Sequence, residues 1–426
     1  MIRLIDLFAG MSGIRCGVEQ AAAELGISTQ CVFTSEIKPH ALKVLQQNHP
    51  GEQIFGDITK IAAADIPDFD ILLGGFPCQA FSSAGKRMGF ADTRGTLFFD
   101  VERIIKEKRP LGFLLENVEG LENHDKGNTL RTILSNLRAL GYKVSYAILN
   151  AAQFGVPQER KRIYIVGTLT REVPLVGFHR SHTTLGDILE QGKPTSQSAF
   201  VQRLLERYPI PELYGKAIKD KRGGDDNIHS WDLELKGAVS PRQKQLLNAM
   251  LRERRKKKWA AEIGIEWMDG MPLTEKQIAT FFPDEHLPSM LNDLAEKGYL
   301  KLEHPKQKVL TTHQGDIQSA HRVPDPSLPK GYNIVAGKLS FEVSKVLGPH
   351  DVAPTLVAMD MQKLYVADKG GLRRFTLREG LRLFGYPETY QFDLPEKEAF
   401  DLLGNTVVVP VIKQVALKLL QNILTP

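Results

Sequence analysis

Short apolar runs, each closed by glycine, proline or a single charge, recur through the N-terminal part of the chain, and the stretches between them carry apolar positions three and four apart. Ile2 to Phe8 has the make-up of a buried strand, Gly10 to Gly13 that of a tight turn, and a helix is predicted from about Ile14 to Leu25. Further strands are predicted at Gln30 to Thr34, Ile54-Phe55, Phe69 to Leu73, Leu111 to Leu115, Lys143 to Leu149 and Ile163 to Val166, with a helix from Leu97 to Lys108 that Pro110 ends. Strands alternating with helices point to an α/β fold with a doubly wound sheet, whose chemistry collects at the carboxyl ends of the strands. Near the end, Val408, Val411, Ile412, Val415, Ala416, Leu419, Leu420 and Ile423 keep helical spacing, so a last helix should pack on that sheet.

Between about 170 and 372 the pattern changes. Ser240-Pro241 has the form of an N-cap followed by proline in the first turn, opening a helix with Leu246, Leu247, Met250 and Leu251 on one face. That helix runs into Arg252 to Lys258, the densest basic run in the sequence. Short helices after Thr274 and from about Ser289 to Lys297 follow, then Tyr299 to Leu302 turning through His304-Pro305-Lys306 into Val309 to Thr311. Helix, helix and hairpin in that order resemble a winged helix-turn-helix over about 240–312, a module with a basic surface that suits DNA.

With 426 residues, 42% hydrophobic and 25% charged, the chain has room for two or three domains. A net charge of +5 is compatible with a polyanionic partner without establishing one. Three cysteines give neither a disulfide framework nor metal-ligand spacing, which suits a reducing cytoplasm and implies no metal. No basic leader precedes an apolar core at the start and no run of about 18 apolar residues occurs, so neither secretion nor a membrane role is expected.

One cysteine is presented differently from the others. Gly74-Gly75-Phe76-Pro77-Cys78 follows an apolar strand and cannot continue it, so the Cys78 thiol stands at a strand's carboxyl end. Glu116-Asn117 ends the next strand along, which puts an acid on the same edge. Arg160 and Arg162 are alternate positions that share one face if extended. The turn Gly10 to Gly13 lacks the Gly-x-Gly-x-x-Gly pattern that brings amides to a pyrophosphate, so a nucleoside cofactor without phosphates fits it better. Glu36 and Asp57 follow the second and third strands as candidate acceptors for such a molecule.

In order along the chain stand Asp6 to Gly13, Glu36, Gly56-Asp57-Ile58-Thr59, Gly75-Phe76-Pro77-Cys78, Glu116-Asn117-Val118, Gln158 to Arg162, and Gly404-Asn405-Thr406-Val407-Val408. This set resembles the DNA (cytosine-5)-methyltransferase family of the bacterial restriction-modification type, over residues 1 to about 168 and about 373 to the end. The resemblance implies a Rossmann-like S-adenosylmethionine (SAM) methyltransferase sheet in 1–172 and 373–426, with a smaller target-recognition domain at 173–372 inserted before the C-terminal helix. It makes Cys78 the nucleophile at cytosine C6, Glu116 the acid on the base's N3 and N4 edge, Arg162 a donor to O2, and Arg160 a member of the same cluster.

For the cofactor, SAM, it implies Phe8, Gly10, Gly13, Glu36, Asp57, Ile58, Pro77, Leu97 and Asn405. Glu36 would accept from both ribose hydroxyls, Asp57 from the adenine amino group, and Ile58 would lie on the ring. Gln79, Ser82, Lys86, Arg94, Thr355 and Leu356 become candidate DNA contacts. Ser12 stands where the family usually has glycine. The implied partners are double-stranded DNA and, genetically rather than physically, a cognate restriction endonuclease, in the cytoplasm with the nucleoid. Transfer-RNA cytosine-5 methylation, and a DNA-binding regulator with vestigial chemistry, remain alternatives at this stage.

Overall fold

The computed structural model describes residues 1–76, 97–220, 226–313, 316–335, 341–357 and 361–425. The chain forms two compact units, one of Met1–Gln191, Pro349–Gln362 and Phe375–Pro426, the other of Gly192–Gly348 and Lys363–Arg374. Residues 349–362, which include Thr355 and Leu356, belong to the first unit.

The first unit is built on a seven-stranded sheet. Its strands are β1 Ile2–Leu7, β2 Thr29–Ser35, β3 Ile54–Phe55, β4 Ile71–Gly74, β5 Gly112–Val118, β6 Lys143–Asn150 and β7 Lys161–Thr168, in the spatial order β3-β2-β1-β4-β5-β7-β6. The reversal of order between β1 and β4 is the switch point at which open α/β sheets leave a crevice. β4 and β5 are buried along their whole length except the last residue of β5, as befits strands covered on both faces.

One strand departs from the expected parallel run. β7 is antiparallel to both β5 and β6, with Val118 opposite Arg162 and Glu116 opposite Tyr164. This reversal has a chemical consequence: only an antiparallel strand brings its beginning, here Lys161 and Arg162, to the edge where the parallel strands end.

Helices α1 Gly13–Glu24, α2 Pro39–Asn48, α3 Leu97–Lys108 and α4 Asn128–Ala139 cross over between strands. α2 and α4 were not among the predicted elements. On one face of the sheet, Ile5, Leu7, Leu72, Phe113 and Leu115 pack with Phe98, Ile104, Ile133 and Leu137 from α3 and α4. On the other, α1 meets the C-terminal helix Val409–Leu424 so closely that a side-chain carbon on Gly17 would lie 2.6 Å from Ile412. The stretch Glu396–Leu424 is long and apolar enough to pass for a membrane span, but it is two helices broken at 406–408, and most of the C-terminal helix is core.

In the second unit, short strands Ala217–Ile218, Asn227–Ile228, Lys345–Leu347, Leu364–Asp368 and Gly371–Arg374 make a five-stranded sheet. Helices Pro241–Glu253, Lys258–Glu262, Glu275–Ala279 and Leu287–Glu296 pack around Trp231, Leu247, Met250, Leu291 and Leu294, a separate core. Ser240 and Gln243 form a reciprocal capping box at the start of the first helix, with Pro241 in its first turn. The hairpin Lys306–His313/Asp316–Pro324 follows, and Leu300–Glu303 pairs with Gly331–Ile334.

The basic run here serves the unit's own structure in part. Arg254 is buried and donates to Asn333 Oδ1 at 2.7 Å, Arg255 pairs with Asp269 at 2.7 Å, and Lys256 pairs with Glu253 at 2.5 Å. Arg252 and Lys257 stand exposed.

Candidate active site

At the carboxyl end of β1 the chain turns through Phe8 (φ 56°), Gly10 (φ 54°) and Ser12 (φ 54°). Glycine takes this left-handed geometry freely, whereas Phe8 and Ser12 each bear a strain of roughly 1–2 kcal/mol. The turn is held by its neighbours. Gly10 N donates to Glu36 Oε2 at 2.7 Å, the Ser12 hydroxyl pairs with His49 Nε2 at 3.1 Å, and Met11 O accepts from the Tyr390 hydroxyl at 2.5 Å. The contact with His49 is what a serine can add where glycine is usual.

Glu36 is buried, and its other oxygen, Oε1, accepts from Ile37 N at 2.7 Å and Lys38 N at 2.8 Å. A carboxylate offers about four lone-pair positions. Three are engaged by amides, so one remains open, fewer than contact with both ribose hydroxyls would need.

A side-chain carbon on Gly10 would meet nothing nearer than Phe8 O at 4.0 Å, so its left-handed φ rather than crowding calls for glycine there. Gly13 is crowded. A side-chain carbon there would lie 2.6 Å from the Tyr386 hydroxyl oxygen and 2.7 Å from a Val407 methyl. Its smallness therefore serves packing against the C-terminal segment, not the cofactor. Gly13→Ala is expected to destabilise the fold by about 1–3 kcal/mol, read from the shift in denaturation midpoint.

Asp57 Oδ1 caps the following turn, accepting from Thr59 N at 3.1 Å and the Thr59 hydroxyl at 2.7 Å, while Oδ2 faces Lys60 at 3.8 Å. Ile58 is 2% exposed and belongs to the core, so its side chain is not available to lie on a ring. The apolar group that does stand open at this edge is Ile37, 67% exposed, which the sequence reading missed. Its signal was an isoleucine directly after a strand-end carboxylate, in an otherwise polar loop.

Phe8 and Leu97 are half-buried, the first against the core under the sheet and the second at the start of α3. Asn405 is exposed and donates to Asp401 O at 2.7 Å, and Asp401 in turn binds Lys38 at 2.8 Å and His40 at 2.9 Å. These bonds draw Asn405 toward the loop that carries Glu36 and Ile37.

Beneath the turn lies Asp6, 1% exposed, with Oδ2 making no hydrogen bond. Burial pushes its carboxyl up to about 7, against the pull of Arg15 and with help from Glu19, Glu36 and Glu52. A folded value above the unfolded one favours the fold while the acid is protonated, and that contribution is lost as pH rises from about 4 through 7. Asp6→Asn is expected to remove a fall in stability of up to roughly 4 kcal/mol over this window. A plot of urea midpoint against pH should flatten in the variant; an identical slope in both proteins would refute the assignment.

The second cluster gathers at β4, β5 and β7. Glu116 is buried, and Arg162 Nε lies 3.2 Å from its Oε1, one strand across and diagonal in register. Burial raises the Glu116 carboxyl above its ordinary range, while Arg162 and then Arg160 oppose the shift. Its Oε2 is 3.8 Å from where a side-chain carbon on Gly75 would sit, and Asn117 Nδ2 donates to Phe76 O at 3.2 Å. The chain thus passes over the acid at Gly75, three residues before Cys78 in the sequence. Pro77, Cys78, Gln79, Ser82, Lys86 and Arg94 lie outside the described residues.

Arg160 turns away from the role expected of it. Its guanidinium donates to Leu356 O at 3.0 Å, Thr406 O at 2.7 Å and Gly404 O at 3.4 Å, and it stacks over Phe384 at 5.3 Å. It is 3% exposed, which removes it from a phosphate, and it reaches Glu116 as a field rather than a hydrogen bond. Leu356 is fully buried, so its side chain does not face DNA either; Thr355 is exposed and donates its hydroxyl to Glu159 O at 2.6 Å. Among the described residues no group of histidine, cysteine and acidic side chains could hold a metal ion.

Comparison with known proteins agrees with this geometry. Residues 2–421 match the model of the C-5 cytosine-specific DNA methylases. The chain is 61% identical to the Type II methyltransferase M.NlaIV of Neisseria lactamica, covering 99% of both, and 42% identical to M.HgiCI of Herpetosiphon aurantiacus, covering 99% of this chain and 98% of that one. In fold it is similar to the Dnmt2 methyltransferase of S. pombe, at a TM-score of 0.53 and 16% identity over 100% of this chain and 99% of that one. An α/β sheet bearing a buried acid–arginine pair beside Gly75 thus has its family: the chain belongs to the C-5 cytosine-specific DNA methylases, enzymes that methylate cytosine in DNA.

Proposed function

We propose that this chain acts at one cytosine of a specific duplex sequence, turned out of the helix, with Cys78 as the nucleophile and SAM as the methyl donor. The observation that carries the reading is the Glu116–Arg162 pair, 3.2 Å apart, lying against Gly75, three residues before Cys78 in the sequence.

C5 of cytosine is a weak nucleophile. A thiolate added at C6 turns the ring into an enamine and makes C5 reactive. Extruding the base costs a few kcal/mol and exposes the face that the thiolate needs. Glu116, kept protonated toward neutral pH by burial, donates to N3 as charge develops there, and Arg162 donates to O2 and offsets that charge. Arg160 fixes the position of the segment around Thr406 instead of touching the base.

SAM, when bound, supplies an electrophilic methyl group. For it, Glu36 Oε2 accepts from one ribose hydroxyl, Asp57 Oδ2 from the adenine amino group, and Phe8 and Ile37 give apolar walls, with Gly10, Pro77, Leu97 and Asn405 completing the hollow. Gln79, Ser82, Lys86 and Arg94 contact DNA near the flipped base, with Thr355 at its margin. The second unit, its winged-helix-like portion included, reads the sequence. A restriction endonuclease of the same specificity is the genetic counterpart, and the cytoplasm is the site of action.

Transfer of label from SAM to duplex DNA but not to transfer RNA, together with bisulfite sequencing of DNA from cells expressing the protein, tests this reading and gives the target. Labelling of transfer RNA alone would overturn it.

A further inference from the structure

The bonds that hold Arg160 continue into the cofactor turn. Thr406 gives its carbonyl to Arg160 and lies with its hydroxyl 2.6 Å from that of Tyr386, which is 3.5 Å from Met11 O. Tyr390 donates to the same Met11 oxygen at 2.5 Å, and the two tyrosine rings are 4.6 Å apart. Arg160, Thr406, Tyr386 and Tyr390 are all buried, none more than 7% exposed. If Thr406 donates to Tyr386 and Tyr386 to Met11, both hydroxyl protons are used, and the Met11 carbonyl has a partner for each lone pair.

Met11 stands between Gly10 and Ser12, two residues held in left-handed geometry, so the oxygen these tyrosines grip fixes the turn where it is least able to hold itself. The other end of the chain of bonds is a cation whose field reaches Glu116. We propose that Thr406, Tyr386 and Tyr390 are positioning residues that set the methyl-donor turn against the base held by Glu116, and so act on methyl transfer rather than on cysteine attack. The proposal rests on the roles given above to Glu116, Cys78 and the turn.

The reaction offers a readout that separates the two steps. Attack forms the bond from sulfur to C6 and leaves an electron pair at C5. That pair can take the methyl group, or it can take a proton from water, after which loss of the original C5 hydrogen and of the sulfur returns cytosine with its hydrogen exchanged. A misplaced donor favours the second outcome.

Tyr386→Phe, Tyr390→Phe and Thr406→Val are therefore each made in the full chain and assayed on duplex DNA tritiated at cytosine C5. Tritium released in excess of methyl groups transferred measures exchange. The ratio of exchange to methylation is expected to rise about fivefold for each, the worth of one hydrogen bond, with SAM affinity by calorimetry weakened by a similar factor and DNA affinity unchanged. Tyr386→Phe and Thr406→Val combined should do no more than Tyr386→Phe alone, because that change already removes the bond to Thr406 as well as the one to Met11.

Equal falls in exchange and methylation, or an unchanged ratio in variants that fold normally, would overturn the proposal. Wild-type protein that neither exchanges nor methylates would instead show that the underlying assignment of the site is at fault.

Discussion

Cys78→Ser is expected to abolish methyl transfer, lowering the rate by about 10⁴-fold or more, as loss of a catalytic nucleophile does elsewhere. A free thiol with a pKa near 8.5 is a few per cent thiolate at neutral pH, and cationic surroundings raise that fraction. A serine hydroxyl has no comparable ionised population at neutral pH, so C6 is not attacked. Because C5 stays unreactive, exchange of its hydrogen should vanish along with methylation. SAM affinity, measured by calorimetry, should stay within about twofold, a difference too small to reflect a lost contact. Turnover retained by the serine protein would refute the covalent route.

The second large effect is at Glu116. Glu116→Gln keeps the shape and one donor but removes the titratable proton, and a drop of about 10²–10⁴-fold is expected, the range for loss of a positioned general acid. Burial raises this carboxyl, so the protonated form persists further toward neutrality than for an ordinary glutamate and is lost as pH rises. The alkaline limb of the rate profile should therefore contain Glu116 in the natural protein and lose it in the variant. DNA affinity should hold. A loss of DNA binding as large as the loss of rate would assign Glu116 a structural part instead.

The seven strands and the edge they share were readable because buried strands write themselves as short apolar runs and because Gly74-Gly75 cannot continue one. Strand direction was not readable, since periodicity is the same either way along the chain; that β7 runs backward emerges only from its pairing with β5 and β6. The same limit explains Arg160 and Arg162. Alternation places both near the site, but only coordinates tell that one faces Glu116 while the other is spent on carbonyls of residues 356, 404 and 406.

Gly13 and Ile58 failed for a related reason. A glycine in a turn and an isoleucine after an aspartate look equally fit for a ligand or for the core, and the choice is made by Tyr386 and Val407 or by the packing under the sheet, which are remote in sequence. Glu36 could be placed at a strand's carboxyl end from sequence, yet its three amide bonds could not be counted without the fold.

The first unit is stitched from three separate stretches of chain, and Met11 finds Tyr390 across 379 residues. Translation makes the turn at residues 8–12 well before Tyr386 and Tyr390, so a nascent polypeptide carries that turn without its clasp until residue 390 has been made. Folding of this unit waits on long-range closure, which is slow.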